Sequence, residues 1–535
     1  MGLCIENDIY PTMYAQEYKQ YHFSFADKDS ALYNIKTDIT FIIFDSTPLL
    51  ESEFTNSSEH ITTILKGIEE LTQKTAGHLV ISTLPRLPVS VYANMYEHDP
   101  MQQHIESFNS GIRAIATEHS NVTIFDINRL FQLWGDIAAR DVRSLYAYDI
   151  PYTNDFSLAL CHELVSFLLA LRGKAKKCIV TDLDNTLWGG VVGEVGTHGI
   201  NLGHGYPGVA FQQVQRTLKE YSARGIILAI ASRNNISDTN DVFENNSHMI
   251  LKKSDFANIQ INWNVKSENI KTIARELNIG LDSIVFVDDD PANRAEVRSA
   301  LPQVLVVPLS AAPEEYARTL LSLTCFNQLT LTQEDRQKNT LYEEESRRKK
   351  VLETNDPIEY LEKLGISVHI SKNDVTQIPR LAQLSQKTNQ FNLTTHRYSE
   401  HDLETMIKEG ALVYGADARD TFGHYGVVAL TILKPLSKVE IELDTFLMSC
   451  RAMGRGIEFA FLDTLFETIQ TLGYTTVVGK FIQTAKNEPV RMILPDMGFE
   501  SSDTQTFSLT LTDYFAHKPK KITSILPHLS ITIQK

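Results

Sequence analysis

The stretch from Cys178 to Glu194, CIVTDLDNTLWGGVVGE, constrains this chain more than any other. An apolar run, Ile179 to Leu183, leads into two carboxylates, Asp182 and Asp184, with Thr186 two positions further on and a Gly-rich turn behind. A short apolar run bounded by turn residues reads as a strand buried on both faces, as the strands of parallel sheets are. In such sheets ligands bind outside the carboxyl ends of the strands, so both carboxylates are expected at a pocket on the sheet edge. One can attack phosphorus while the other exchanges a proton with the leaving group or with water. Mg²⁺ suits the site, because it is a hard cation satisfied by one or two carboxylates together with substrate phosphate.

A D-x-D-x-T string alone is a weak signal, and two later segments strengthen it. Gly225 to Ala231, GIILAIA, stops at Ser232, and Ser283 to Val287, SIVFV, stops at Asp288, Asp289 and Asp290. Between them lies Lys266, in NWNVKSENI. A hydroxyl and an ammonium can hold the transferred phosphoryl oxygens, and the late aspartates can complete a metal site.

These pieces, in this order, resemble the haloacid dehalogenase superfamily of phosphoryl-transfer enzymes. The longer string DLDNTLWGGVVGE, with SRNN, the Trp263 to Asn269 segment and VDDDPANR, resembles its FkbH-like branch, of subfamily IIIC, and the resemblance runs from about Ala175 to Phe499. It implies Asp182 as the nucleophile that becomes an aspartyl phosphate and Asp184 as the general acid/base. Ser232, Lys266 and Thr186 would bind the phosphoryl group. Mg²⁺ would be held by Asp182, by Asp184 through its backbone carbonyl, and by Asp288, with Asp289 in support. Arg233 stands where the family more often has Lys, and Asp290 where it has Asn or Ser.

At 535 residues the chain is expected to hold about three domains. The fold class expected is α/β in three domains. Residues 1–174 alternate strand candidates (Ile39 to Phe44, His78 to Ser82, Val122 to Phe125) with helical stretches (Glu59 to Lys74, Met101 to His119), an α/β pattern. The family resemblance makes this an SGNH-like domain. Asp45-Ser46 lacks a G-D-S context and no D-x-x-H follows in TNDFSLALCHEL, so a non-catalytic domain is expected, with His162 structural. Residues 175–310 would be the Rossmann-like, haloacid dehalogenase-type domain. The short spacings between Thr186, Ser232 and Lys266 leave no room for a large cap, which implies an open site closed by other domains or a macromolecular partner. Residues 311–365, dense in charge, read as a helical linker.

Residues 366–535 mix strands (ISVHI, ALVYGAD, GVVALTIL, VEIELDTFLMS) with helices at Ile378 to Gln386 and Ile457 to Leu472. At Arg451 to Gly456 the chain reads R-A-M-G-R-G just before a helix, and backbone N–H groups in such a turn form a nest for pyrophosphate. This resembles the acyl-CoA loop of GNAT acyltransferases and implies a GNAT-like α+β domain, with Arg451, Gly454, Arg455 and Gly456 at the ligand. The tyrosine such enzymes place ahead of a closing Gly-Phe is absent: Met492, Ile493 and Leu494 precede Gly498-Phe499. Cys450 instead lies just before the loop, where Arg451 and the helix dipole favour a thiolate, so it is a candidate acyl-accepting nucleophile, with a buried structural cysteine as the alternative.

The FkbH-like resemblance implies an enzyme that takes the glyceryl group of 1,3-bisphosphoglycerate, removes its phosphates and loads it as a thioester on an acyl carrier protein in polyketide-type biosynthesis. Asn389, Gln390, Asn392, Thr394, Thr395, His424, Lys486 and Asn487 would position substrate oxygens or the carrier's phosphopantetheine arm. A Mg²⁺-dependent phosphatase of small phosphomonoesters without acyl transfer, and a non-catalytic scaffold for carrier protein or coenzyme A, are the alternatives. The net charge of −16 speaks against a nucleic-acid partner. Five scattered cysteines suggest neither a zinc site nor a disulfide framework. No apolar run long enough for a bilayer and no signal layout at the N-terminus are read, so no membrane partner and a cytoplasmic location are expected.

Overall fold

The computed structural model describes residues 39–44, 58–75, 77–148, 150–328, 357–449, 452–484, 487–501 and 503–534. They fall into two compact units, one running to Leu169 and including Ser399–His401, the other holding the rest.

In the first unit β1 (Ile39–Ile42), β2 (His78–Ser82) and β3 (Val122–Phe125) form a parallel sheet in that order. Helices Ser58–Lys74 and Pro100–Glu118 pack through Ile68, Leu71, Ile105, Phe108 and Ile112 into one core with Leu79 and Ile81. The second helix starts where the sequence supplies both a cap and a proline: Asp99 Oδ1 accepts from Met101 N at 2.9 Å, and Pro100 needs no donor at the first position. Asp45 and Ser46 lie outside the described residues. Helix Asn154–Leu171 carries His162 on an exposed position. This helix is long and apolar enough to cross a membrane by length and composition, which corrects the expectation that no such run exists. One face of it, Phe156, Leu160, Cys161 and Leu164, is buried, and Glu163 pairs with Arg129 at 2.6 Å.

The second unit begins with β4 (Cys178–Thr181), β5 (Ile227–Ser232), β6 (Asn258–Ile261), β7 (Ile284–Val287) and β8 (Leu305–Val306), a parallel sheet in the order β6-β5-β4-β7-β8. Every residue of β4, β5 and β7 is buried, which explains their unbroken apolar sequences. The chain builds outward from β4 on one side, then returns to add β7 on the other. β4 and β7 are therefore neighbours at the point where the strand order reverses, the place where open sheets leave a crevice.

This core runs on past the expected boundary at 310. Val307, Leu309, Tyr316, Ala317, Leu320 and Phe326 join Leu218 and Tyr221 in the same cluster, and Tyr221 OH donates to Leu320 O at 2.7 Å. The segment is held because Tyr316, Ala317 and Leu320 recur at helical spacing on one face of helix Tyr316–Leu321. After residues outside the described set, helix Pro357–Leu364 follows.

The remaining strands are β9 (Ser367–Lys372), β10 (Leu412–Asp420), β11 (Gly423–Pro435), β12 (Glu440–Met448), β13 (Thr476–Lys480), β14 (Glu500–Ser501), β15 (Thr506–Thr510) and β16 (Ser530–Ile533). They form an eight-stranded mixed sheet, β14-β15-β13-β12-β11-β10-β9-β16. Helix Ile457–Thr471 buries Ile457, Phe461, Leu465 and Ile469 in its core. β12 and β13 pair in parallel only from Glu440 to Leu443, and beyond that point the segment Phe391–Leu393 bonds to the free edge of β12 (Leu393 N to Phe446 O, 3.1 Å; Met448 N to Phe391 O, 3.0 Å).

Replacing Leu320 with Ala tests whether the stretch after 310 belongs to the middle core. Its side chain is fully buried, so urea unfolding should show a loss of about 2–5 kcal/mol. A loss below about 1 kcal/mol, the size expected of a surface position, would contradict that packing.

Candidate active site

Strand register alone brings the first acids together. Thr181 pairs with Val287 across β4 and β7, so the next residue on each strand, Asp182 and Asp288, leaves the sheet side by side, and Asp182 N still donates to Val287 O at 2.9 Å. Asp182 and Asp288 are both buried. Asp289 follows, and its Oδ1 accepts from Thr186 Oγ1 at 3.1 Å, which ties the loop after β7 to the loop after β4.

Lys266 is the first residue of helix Lys266–Glu276, after β6. It is only 1% exposed, and its side chain crosses the end of β5 to reach the acids. Nζ lies 2.7 Å from Asp182 Oδ1 and 3.2 Å from Asp288 Oδ2, and donates to Ala231 O at 2.8 Å. Although Lys266 sits at ion-pair distance, Asp182 Oδ1 has no aligned hydrogen bond. Ser232 is buried at the end of β5, with Asn234 Nδ2 3.4 Å from its Oγ.

Asp184 is held differently. Its Oδ1 accepts from Trp188 Nε1 at 2.8 Å and from Val192 N at 3.1 Å, and its Oδ2 accepts from Asn234 Nδ2 at 2.9 Å. Burial pushes its carboxyl above the ordinary range in spite of these bonds, which suits a group that must carry a proton. The turn that aims it depends on Asn185, at φ +54°, whose Oδ1 accepts from Gly190 N at 2.8 Å.

The carboxylates that converge on one point are Asp182, Asp288 and Asp289, with ligand atoms all within 4.8 Å of one another. The side chain of Asp184 is not among them, because its two oxygens face Trp188, Val192 and Asn234. Burial, then the charge of Asp182, raises the Asp288 carboxyl well above its usual value, and burial pushes Asp289 up to about 6. Three crowded acids, one with an unaligned buried oxygen, fit a hard divalent cation, which would offset their mutual repulsion and lost hydration.

Two supporting residues escaped the sequence reading. Arg294 Nη1 donates to the backbone carbonyls of Asp288 (2.8 Å) and Asp289 (2.6 Å), fixing the late aspartates. Asn234 links Ser232 to Asp184. Arg294 lies one helical turn after Asp290, which caps helix Pro291–Ala300, and that spacing was a readable signal.

In the C-terminal sheet domain Cys450, Arg451 and Lys486 lie outside the described residues. Gly454 and Gly456 take φ +73° and +75° just before helix Ile457–Thr471, and a Cβ on Gly456 would come within 2.2 Å of Ile525 Cγ2. Buried Arg455 places its guanidinium 5.2 Å from the Tyr425 ring centroid. Glu458, in the first turn of the helix, is buried, with its carboxyl pushed up to about 7 by burial. Asn392 and Asn487 are fully buried and bonded to backbone: Asn392 Oδ1 accepts from Thr395 N (2.9 Å), and Asn487 Nδ2 donates to Asn392 O (3.1 Å) and Ile482 O (2.9 Å). They brace the loops they stand on. Asn389 Oδ1 accepts from Arg397 Nη2, Gln390 is half-buried, Thr394 lies against Thr445, and His424 Nε2 lies 2.7 Å from Asp417 Oδ1.

No family model and no curated protein matches the chain. Among solved structures, the N-terminal part of BF1531 from Bacteroides fragilis, which contains a phosphatase domain and was solved with Mg, is 30% identical. The match covers 57% of this chain and 83% of that one, with a TM-score of 0.53. The ribosomal-protein-S18-alanine N-acetyltransferase of Escherichia coli is 16% identical over 27% of this chain and 94% of its own, with a TM-score of 0.22. An N-acetyltransferase from Staphylococcus aureus Mu50 is 14% identical over 27% and 98%, also at 0.22. The five-stranded parallel part of the second unit is a haloacid dehalogenase-like phosphatase domain. The chain belongs to the same family as BF1531.

Because Asp288 and Asp289 hold protons to higher pH than ordinary carboxylates, Mg²⁺ must displace protons to bind there. Calorimetric Mg²⁺ affinity should therefore strengthen as pH rises from about 5 through the raised carboxyl values near 6 and above, with proton release on binding. An affinity flat across that range would contradict the buried-acid site.

Proposed function

We propose that the middle domain is a magnesium-dependent phosphatase working through an aspartyl phosphate, and that the chain couples it to acyl transfer. In this reading the protein takes the glyceryl group of 1,3-bisphosphoglycerate and delivers it as a thioester to an acyl carrier protein. The observation that carries the phosphatase half is that Asp182 and Asp288, at the ends of the neighbouring strands β4 and β7, both lie within 3.2 Å of Lys266 Nζ. The Mg-bound phosphatase domain of BF1531 supports it.

Asp182 attacks phosphorus and the bond to the ester oxygen breaks, while Asp184 donates its proton to that oxygen. Asp184, now ionised, takes a proton from water whose oxygen attacks the aspartyl phosphate, and the phosphorus bond to Asp182 breaks to free inorganic phosphate and the carboxylate. Lys266 holds the attacking carboxylate in place and offsets its charge. Ser232 supplies a hydroxyl to the transferred oxygens. Mg²⁺ bound by Asp182 and Asp288, with Asp289 beside them, would neutralise charge on the phosphoryl oxygens.

For acyl transfer, the thiolate of Cys450 attacks the acyl carbon of the mixed anhydride, and the carbon–oxygen bond breaks to release phosphate. After the Asp182 site has removed the remaining phosphate ester, the carrier's thiolate attacks the thioester carbon, and the carbon–sulfur bond to Cys450 breaks to return its thiolate. In the sequence Arg451 follows Cys450 directly, and a neighbouring positive charge favours a thiolate.

Asp182→Ala should lower Mg²⁺-dependent phosphate release by roughly a thousandfold or more, whereas Cys450→Ala should leave release from simple phosphomonoesters within about twofold. Intact-mass spectrometry after incubation with 1,3-bisphosphoglycerate should show an acyl adduct on the wild type that Cys450→Ala lacks. No adduct on the wild type removes the acyl-transfer half and leaves a plain phosphatase; full release by Asp182→Ala removes the phosphatase half.

A further inference from the structure

The loops leaving β5 and β6 run side by side, since Asn262 N donates to Ser232 O at 3.1 Å. Ser232 is buried on the first of them, and the next residue, Arg233, is exposed. Arg233 Nε donates to the backbone carbonyl of Asn264 at 3.2 Å. That bond moors the guanidinium over the second loop, two residues before Lys266, whose ammonium forms the floor of the site. Among the described residues the two terminal nitrogens of Arg233 carry no hydrogen bond and no ion pair. A moored guanidinium with its outer donors free is a fork shaped for a carboxylate or phosphate.

The surrounding charge makes such a group useful. Four carboxylates, Asp182, Asp184, Asp288 and Asp289, share this sheet edge with the ammonium of Lys266 and the guanidinium of Arg294, whose Nη1 is taken up by the Asp288 and Asp289 carbonyls. An incoming phosphate ester with a second negative group meets repulsion that the ammonium and a divalent cation, both at the reacting phosphoryl, do not offset at the far end of the molecule. The exposed residues flanking Arg233 on the two loops, Trp263 (71% exposed) and Ile236 (60%), are uncharged.

We infer that Arg233 is a specificity residue that binds a second anionic group on the substrate, so that the middle site prefers phosphate esters carrying a carboxylate or further phosphate. This rests on the phosphatase half of the proposed function alone and concerns free phosphate esters, because an ester already held as a thioester on Cys450 carries no second anion; the binding preference stands apart from turnover. Arg233 touches the non-reacting end, so its loss should appear in KM and leave kcat nearly unaltered.

The test compares 3-phosphoglycerate with glycerol 3-phosphate, in which a hydroxymethyl group replaces the carboxylate, on the full chain with Mg²⁺. The wild type should favour 3-phosphoglycerate by roughly tenfold in kcat/KM, the value of one charge-assisted contact. Arg233→Ala should bring the ratio near one through KM, and Arg233→Lys should keep part of it. A wild type without preference, a ratio that Arg233→Ala leaves intact, or an equal fall on both esters overturns the inference. Should neither ester be hydrolysed, calorimetric Kd values for both on Asp182→Asn, with and without Arg233→Ala, read the same ratio. A preference lost with Arg233 then supports the inference while the phosphatase reading fails, and no change overturns both.

Discussion

A fully buried ammonium is the constraint on which the rest of the five-stranded parallel fold turns. Removing a lysine charge from water costs several kcal/mol after relaxation, and only close opposite charges and hydrogen bonds offset it. Lys266 has Asp182, Asp288 and the Ala231 carbonyl as partners. They come from three strand ends, of β4, β7 and β5. The ion pairs therefore fix the relative height of those strands, and any shift in register would leave a buried charge without its partner.

That demand explains features that look separate in sequence. β4 and β7 must be neighbours so that one acid follows another across the sheet. The loop after β4 must turn at once, so that Asp184 points to Trp188, Val192 and Asn234 and keeps a raised proton affinity, while Thr186 bonds Asp289. The helix after β7 must bring Arg294 back beneath the aspartates. An acid cluster assembled this way is ready for a cation before any ligand arrives, because its members are already desolvated and held.

The strand ends were legible because burial on both faces writes an apolar run that stops where the chemistry begins. β2 and β3 begin and end where their sequence suggests. β4 stops at Thr181 rather than Leu183, since Asp182 makes the last ladder bond and Leu183 is buried by packing alone. β6, β13, β15 and β16 were not read: they are short, partly exposed and rich in Thr, Ser or Asn, so alternation was too faint to see. Asn392 and Asn487 show the other limit. A polar residue in a loop can face a ligand or satisfy the backbone, and only coordinates show that these two satisfy the backbone. Lys266 was legible as a site residue from its place between two strand ends, whereas the path of its side chain across β5 depends on β6 lying outside β5.

The central claim is that Asp182 forms a covalent bond to phosphorus while Lys266 and a divalent cation offset the charge around it. Acid quenching of the full chain during turnover with Mg²⁺ and a phosphate ester, followed by peptide mass mapping, addresses it directly. The expected result is a base-labile phosphoryl group on the peptide that contains Asp182, absent when Mg²⁺ is chelated. A phosphoryl group on another residue, or turnover with no trapped species together with full activity in Asp182→Ala, would contradict it.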